Sequence, residues 1–317
     1  MAGHVSVPIY PTFNAEALSY ILEHSDCKAC FVGKMDDVSH LGRGVPAGVV
    51  LIALPLAPAI SGLQWAALQS QNQPLQGTPV RPAQALCTII YTSGTTGKPK
   101  GVMHTFEAMA WGLSSAGERL PMYREDRLIS YLPLAHVAER MLIEQASLRY
   151  GSHVFFAEAL DTFLQDLQRA RPTVFFSVPR LWVKFQQGVH SKMPAQKLQR
   201  LLKIPLLGGI VRRKILKGLG LDQCRIAAGG AAPMPADVLQ WYRNLGLDLI
   251  EVYGMTENCG ISHSTLPGSR QVGSVGKTYY GVEGRIAPDT GEIQMRSPAV
   301  MQGYYREPQQ TADAMTA

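Results

Sequence analysis

The sequence predicts an α/β protein: two doubly wound α/β lobes, then the start of a small antiparallel β unit. Three observations carry that expectation. Up to about position 265, short apolar, β-branched runs alternate with segments of helical spacing, the pattern of parallel strands joined by crossover helices. After about Leu266 the helical spacing stops, and short runs are separated by turn residues. Finally, 46% hydrophobic and 17% charged residues are globular values, and 317 positions suit two domain-sized units. The expected division is 1–125 for the first lobe, with its glycine-rich loop, 126–265 for the second and 266–317 for the partial β unit.

Residues 14–25 read as a helix, with Asn14 as N-cap and Leu18, Ile21 and Leu22 on one face. Strands are expected at 29–32 and 49–53. Residues 64–84, rich in Gln and Pro, read as a loop with a short helix. Leu86-Cys87-Thr88-Ile89-Ile90 is a buried strand by its apolar, β-branched character, followed after a loop by a helix over about 105–116. In the second lobe, strands are expected at 127–132, 153–156, 174–178, 224–228 and 249–253. Helices are expected at 136–150, 160–171 and 235–245. Beyond them, 281–286 and 291–296 read as short strands with Asp289-Thr290-Gly291 as a hairpin turn.

Composition removes several classes of function. No apolar run approaches the ~20 residues of a membrane helix; the longest, 48–58, is broken by Pro55 and Pro58. Met1-Ala2-Gly3-His4 leads straight into strand-like residues, so no secretory leader is expected. Five cysteines, an odd number with Cys87 in a core strand, point to a reducing cytoplasm. Cys27-x-x-Cys30 lacks a second pair to complete a metal site and reads as structural. The net charge of +6 is uneven: residues 184–217 hold nine Lys/Arg and no Asp/Glu, interleaved with Leu, Ile and Val. This segment reads either as a solvated helical hairpin with its leucines inward or as a basic amphipathic face making peripheral contact with an anionic membrane. The interleaved residues are aliphatic rather than the aromatics that stack on bases, so nucleic acid is not an expected partner. The sequence leaves the oligomeric state open.

Four stretches carry chemistry. The first is Tyr91-Thr92-Ser93-Gly94-Thr95-Thr96-Gly97-Lys98-Pro99-Lys100-Gly101. Glycines let backbone N–H groups approach an anion, hydroxyls add donors, and lysines add mobile positive charge, which together can hold phosphates. It is not a Walker A loop, because Gly94 and Gly97 are too close and Pro99 follows the lysine. The second stretch is Leu132-Pro133-Leu134-Ala135-His136, at a strand end leading into a helix, where α/β folds bind ligands. The third, Gly229-Gly230-Ala231-Ala232-Pro233, is small enough to let a flat ring lie against the backbone. In the fourth, Tyr253-Gly254-Met255-Thr256-Glu257, Thr256 can donate to a phosphate and Glu257 can bind Mg²⁺. Taken singly, each has a plainer reading: a surface loop, a histidine at a helix start, a helix N-terminus.

In this order the four stretches resemble the adenylate-forming family of acyl-CoA synthetases, luciferases and peptide-synthetase adenylation domains. Within it, Tyr131-Leu132-Pro133-Leu134-Ala135-His136-Val137-Ala138-Glu139-Arg140, Arg171-Pro172-Thr173 and Val178-Pro179-Arg180 look most like long-chain fatty acyl-CoA synthetases. The resemblance implies an acetyl-CoA synthetase-like fold with flavodoxin-like lobes. It implies ATP-dependent activation of a long-chain fatty acid to acyl-adenylate and then to acyl-CoA, with CoA as co-substrate and AMP and pyrophosphate released. Thr92, Ser93, Gly94, Thr95, Thr96, Gly97 and Lys98 would then enclose the β- and γ-phosphates, and Thr95 and Glu257 would hold Mg²⁺. Gly229, Gly230 and Ala231 would border the adenine, with Tyr253 stacked on it and Gly254 among the nucleotide-binding residues. Thr256 would touch the α-phosphate and His136 would border the acyl carboxylate, so that Thr95, His136 and Glu257 form the implied catalytic set.

The resemblance also implies that the sequence stops at Ala317 before a ribose-gripping aspartate and a lysine-bearing C-terminal lid, and that it starts late. A fragment of that kind is expected to be weak or inactive alone. Arg140 stands where some bacterial long-chain enzymes carry a gating tryptophan. Two other readings stay open: a lidless, non-catalytic ATP- or acyl-binding module, and a ligase for a medium-chain or aryl carboxylate.

Overall fold

The computed structural model describes residues 3–77, 80–92, 97–269 and 271–315. The chain divides into two compact units. One comprises Met1–Glu107, Pro133–His136 and Met301–Ala317; the other comprises Ala108–Leu132 and Val137–Val300.

The first unit starts from helix Ala15–His24, where the Asn14 side chain accepts the Ala17 N–H at 2.9 Å and caps the first turn. Its apolar stripe, Leu18, Ile21 and Leu22, is buried as the spacing predicted. Strands β1 (Ala29–Val32), β2 (Val50–Ala53) and β3 (Leu63–Gln64) form a parallel sheet in that order. Leu18, Leu22, Val32 and Leu41 make its core.

Strand β4 (Leu86–Thr92) does not lead into a helix directly. It folds back on β5 (Lys100–Thr105) as an antiparallel pair, with Tyr91 opposite Gly101 and Thr92 opposite Lys100. A short strand, Gly303–Tyr304, pairs antiparallel with the other edge of β5. The sequence reading placed 100 and 101 in the loop and had no strand here. Lys100-Gly101 is poor strand material, and pairing with the apolar β4 overrides that preference. Both ends of the glycine-rich stretch, Tyr91-Thr92 and Lys100-Gly101, are therefore paired strand residues, and the second end does not lead directly into a helix. The expected helix then begins at Phe106 and runs to Arg119.

In the second unit, β6 (Arg127–Ser130) pairs parallel with β7 (His153–Phe156). Strands β8 (Val174–Ser177), β9 (Ile226–Gly229) and β10 (Leu249–Tyr253) run parallel side by side. Strands β11 (His263–Ser264) and β12 (Lys277–Thr278) extend that sheet antiparallel beyond β10. A backbone hydrogen bond from Thr173 N–H to the Arg127 carbonyl, 3.0 Å, brings β6 beside the start of β8. Helices Pro179–Lys192 and Ala236–Asn244 pack on the sheet through fully buried Trp182, whose ring centroid lies 5.3 Å from Phe175 and 5.0 Å from Tyr242. Both polar edges in this cluster are satisfied: Trp182 Nε1 donates to the Ala228 carbonyl and Tyr242 Oη to the Trp182 carbonyl.

The expected helix at 136–150 appears as a π-wound segment, Glu139–Gln145, continuing into α-helix Ala146–Tyr150. Strands β13 (Glu283–Ile286) and β14 (Ile293–Arg296) make the hairpin expected around Asp289-Thr290-Gly291, with Gly291 at φ +72°. Among the described residues no barrel closes.

Candidate active site

In the first unit the end of β4 is held by aromatic rings. Tyr91 Oη lies 2.7 Å from His24 Nδ1, joining residues 67 apart in sequence, and Tyr20 stacks on His24 at 5.2 Å. Burial depresses the His24 pKa and raises that of Tyr91, so this support is uncharged near neutral pH. The lysines are steered by rings: Lys98 Nζ sits 5.4 Å from the Tyr20 centroid, and Lys100 Nζ 5.1 Å from that of Tyr304. Thr92 closes β4 opposite Lys100, and Gly97 lies at φ +102°, a backbone setting that suits glycine. Ser93, Gly94, Thr95 and Thr96, expected at the phosphates, lie outside the described residues. His136 is half-buried, its N–H donating to the Pro133 carbonyl at 2.8 Å. Burial lowers its pKa and favours the neutral imidazole.

The second unit brings two of the predicted stretches together. Register sets Ala228 opposite Ile250 and Gly229 opposite Glu251, so the loops after β9 and β10 leave the sheet side by side at its carboxyl edge. Gly230 is buried beneath β10: a Cβ there would lie 2.7 Å from Val252 Cγ2 and 2.9 Å from its carbonyl oxygen. Ala231, Ala232 and Pro233 then emerge exposed, Ala231 at φ +67°. Tyr253 ends β10 half-buried, its ring 6.0 Å from that of His263.

Beyond Tyr253 the chain makes one helical turn, Thr256–Asn258, with Thr256 and Glu257 half-buried. The buried Asn258 side chain accepts the Met255 N–H at 3.0 Å and fixes the turn. Gly254 makes the turn feasible, since a Cβ there would fall 2.3 Å from the backbone of Gly260. Neither backbone can yield, so Gly254→Ala is expected to destabilise the protein by about 2–3 kcal/mol, as for an overpacked core. Thermal unfolding checks this; an unchanged midpoint would show that the two segments separate freely.

Two supporting residues escaped the sequence reading. Glu139 lies within the histidine stretch but received no role. It is buried (2% exposed) and accepts from Ser130 Oγ at 2.5 Å and the Leu132 N–H at 3.3 Å, fixing the chain where it leaves β6. Burial raises its pKa, with these donors pulling the other way. The available signal was a carboxylate three positions after a histidine at a helix start. Tyr20, which steers Lys98, carried no such signal, because only the folded hairpin brings it near. Nearby, Tyr131 Oη donates to the Phe176 carbonyl at 3.1 Å, linking the carboxyl ends of β6 and β8, and burial pushes its pKa up to about 12.

Chemically, the first unit offers lysines, a glycine-bearing turn and a neutral imidazole. The second offers a small-residue shelf, a tyrosine ring, a hydroxyl and a carboxylate at one sheet edge. Residues 1–305 match the family described as AMP-binding enzyme. The chain belongs to this family, part of the adenylate-forming superfamily. Among curated members it is 28% identical to the long-chain-fatty-acid–CoA ligase ACSBG2 of Xenopus laevis, covering 99% of this chain and 49% of that protein. It is 31% identical to the long-chain-fatty-acid–CoA ligase FadD15 of Mycobacterium bovis, covering 99% of this chain and 57% of the relative. Among solved structures, the crystal structure of ATP-bound MatB from Rhodopseudomonas palustris matches with a TM-score of 0.73 at 25% identity, over 99% of this chain and 59% of that one. The chain thus spans about half the length of the curated relatives it matches.

Proposed function

We propose that the protein activates a long-chain fatty acid with ATP. A carboxylate oxygen of the acid bonds to the α-phosphorus while the bond to the pyrophosphate oxygen breaks. The CoA thiolate sulfur then bonds to the acyl carbon, and AMP leaves with the electron pair of the broken acyl–oxygen bond. The observation that carries this reading is the pairing of Gly229 with Glu251, which sets a small-residue loop beside Tyr253-Gly254-Met255-Thr256-Glu257 at one sheet edge. Relatives named as long-chain-fatty-acid–CoA ligases support the acyl class.

Each residue then takes one task. Thr92, Ser93, Gly94, Thr95, Thr96, Gly97 and Lys98 bind the β- and γ-phosphates. Tyr20 preorients the Lys98 ammonium, 5.4 Å from its ring, so less side-chain freedom is lost on binding. Gly229, Gly230 and Ala231 border the adenine, Tyr253 stacks on it, Gly254 sets the approach of the following turn, and Thr256 donates to the α-phosphate. His136, kept neutral by burial, donates a ring N–H to the acyl carboxylate without adding a charge.

Mg²⁺ fits these residues. Among the described residues no cluster of three His, Cys, Asp or Glu could cage a metal. A cation that keeps its waters and takes one or two protein oxygens plus phosphates needs no cage. Glu257 and Thr95 would hold it, and when bound it neutralises phosphate charge against which a carboxylate must attack. Among the described residues, no helix is long and apolar enough to cross a membrane and no disulfide joins any of the five cysteines. We place the protein in the cytoplasm.

Fatty-acid-dependent exchange of pyrophosphate into ATP, measured with this chain joined to the C-terminal lid that the resemblance implies, tests the reading. Exchange should require magnesium and rise with acyl length into the long-chain range. ATP binding without exchange for any carboxylate would overturn it in favour of a binding module, and a maximum at medium-chain or aryl acids would overturn the acyl class.

A further inference from the structure

After β8 the chain builds a helical pair, Ala195–Lys203 and Leu207–Gly218, whose turn is unusual in two independent ways. The first is apolar exposure. Leu198 is buried and seats the pair, yet Leu206 at the turn is 91% exposed and Ile210, one helical turn later, 64% exposed. The second is strain. Leu206 sits at φ +62°, ψ −51°, and the Leu207 N–H donates to the Pro205 carbonyl at 2.7 Å. That is a three-residue turn of the rare, strained kind, disfavoured for any residue with a Cβ. A leucine here gains no burial within the chain that would offset the strain, which suggests that its partner is outside the chain.

The charge around the turn says what that partner is. All nine Lys/Arg of residues 184–217 are exposed, and none forms an ion pair among the described residues. Arg212 is turned back, its Nε donating to the Asn244 carbonyl at 2.9 Å. Leu206, Gly209, Ile210, Arg213, Lys214 and Lys217 line one open groove of about 470 Å³. Its apolar end is the strained turn and its other end holds three cations. A protein-binding face would be depleted in lysine and enriched in aromatics; this one is lysine-rich and aliphatic. The arrangement matches the axis of an anionic phospholipid, phosphate at one end and acyl chain at the other.

We propose that this helical pair docks on anionic membranes. Leu206 and Ile210 enter the boundary between headgroups and acyl chains, and Arg213, Lys214 and Lys217 engage lipid phosphates. The face belongs to the second unit alone and holds none of the residues assigned to ATP.

Cosedimentation of the full chain with vesicles decides it. Vesicles of phosphatidylcholine mixed with phosphatidylglycerol should carry the protein down, pure phosphatidylcholine should not, and added salt should release it. Combined Arg213→Gln, Lys214→Gln and Lys217→Gln should weaken binding on the order of 100-fold, from about fivefold per charge near a lipid surface. Leu206→Asp should abolish stable binding while circular dichroism stays unchanged, since the side chain packs on little else. No sedimentation with the mixed vesicles, equal sedimentation with neutral ones, or binding that ignores both variants would each overturn the proposal. So would self-association in ultracentrifugation that Leu206→Asp removes, which would make a second copy the occupant.

Discussion

Asp126→Ala is expected to destabilise the protein by about 2–3 kcal/mol, as when a charged acceptor shared by several donors is removed. The Asp126 side chain is 4% exposed and lies at the amino-terminal ends of the second unit's parallel strands. It accepts from the Tyr123 N–H at 2.7 Å, Thr173 Oγ1 at 2.6 Å and Arg225 Nε at 3.0 Å, tying the starts of β6, β8 and β9 together. Alanine would leave the Arg225 guanidinium without its carboxylate and two further donors unsatisfied. The same group gives a pH dependence. Burial pushes its pKa up, but Arg225, Thr173 and Tyr123 outweigh that, and the folded pKa falls below 3.8. Its stabilisation is therefore complete above that value and is lost as pH falls through the depressed pKa. Chemical unfolding at neutral pH and below pH ~4 checks both parts: the gap between wild type and variant should narrow in acid, and a constant gap would mean that the charge is not what stabilises.

The second large effect is catalytic. With Glu257 holding Mg²⁺ in the proposed reaction, Glu257→Gln should lower pyrophosphate exchange on the order of 100-fold or more, the usual loss when one preorganised charge is withdrawn. Its side chain is half-buried on a turn fixed by Asn258, so glutamine fits without moving the backbone. The unfolding midpoint should stay at the wild-type value. Full exchange in the variant would remove Glu257 from the metal; a lowered midpoint with proportional loss would make its role structural.

What could be read from the chain follows from how local each signal is. Asn14 before an amphipathic stretch announces a helix, because cap and stripe are both encoded within a dozen residues. The apolar run into Tyr91 announces a buried strand for the same reason. Strand β5 has no such local signal: Lys100-Gly101 reads as loop, and only β4 on one side and Gly303–Tyr304 on the other make it a strand. The glycine- and hydroxyl-rich stretch stands out by its composition, whereas its supports do not show in the sequence, since Tyr20, His24 and Tyr305 are gathered from both ends of the chain. Glu139 failed differently. A carboxylate near a helix start reads as solvated, and its burial against Ser130 and the Leu132 N–H depends on how the chain leaves β6.

The pairing of Gly303–Tyr304 with β5 has a consequence for synthesis. The hairpin bearing Lys98 can form once residues up to about 105 have left the ribosome, but the strand that covers its outer edge is made roughly 200 residues later, a delay of about 10–40 s at ordinary elongation rates. For that interval β5 presents a row of unpaired N–H and C=O groups to whatever chain is nearby. Lys100, at the start of that edge, is a residue type that discourages wrong pairing, and its later contact with Tyr304 marks the moment the edge is closed.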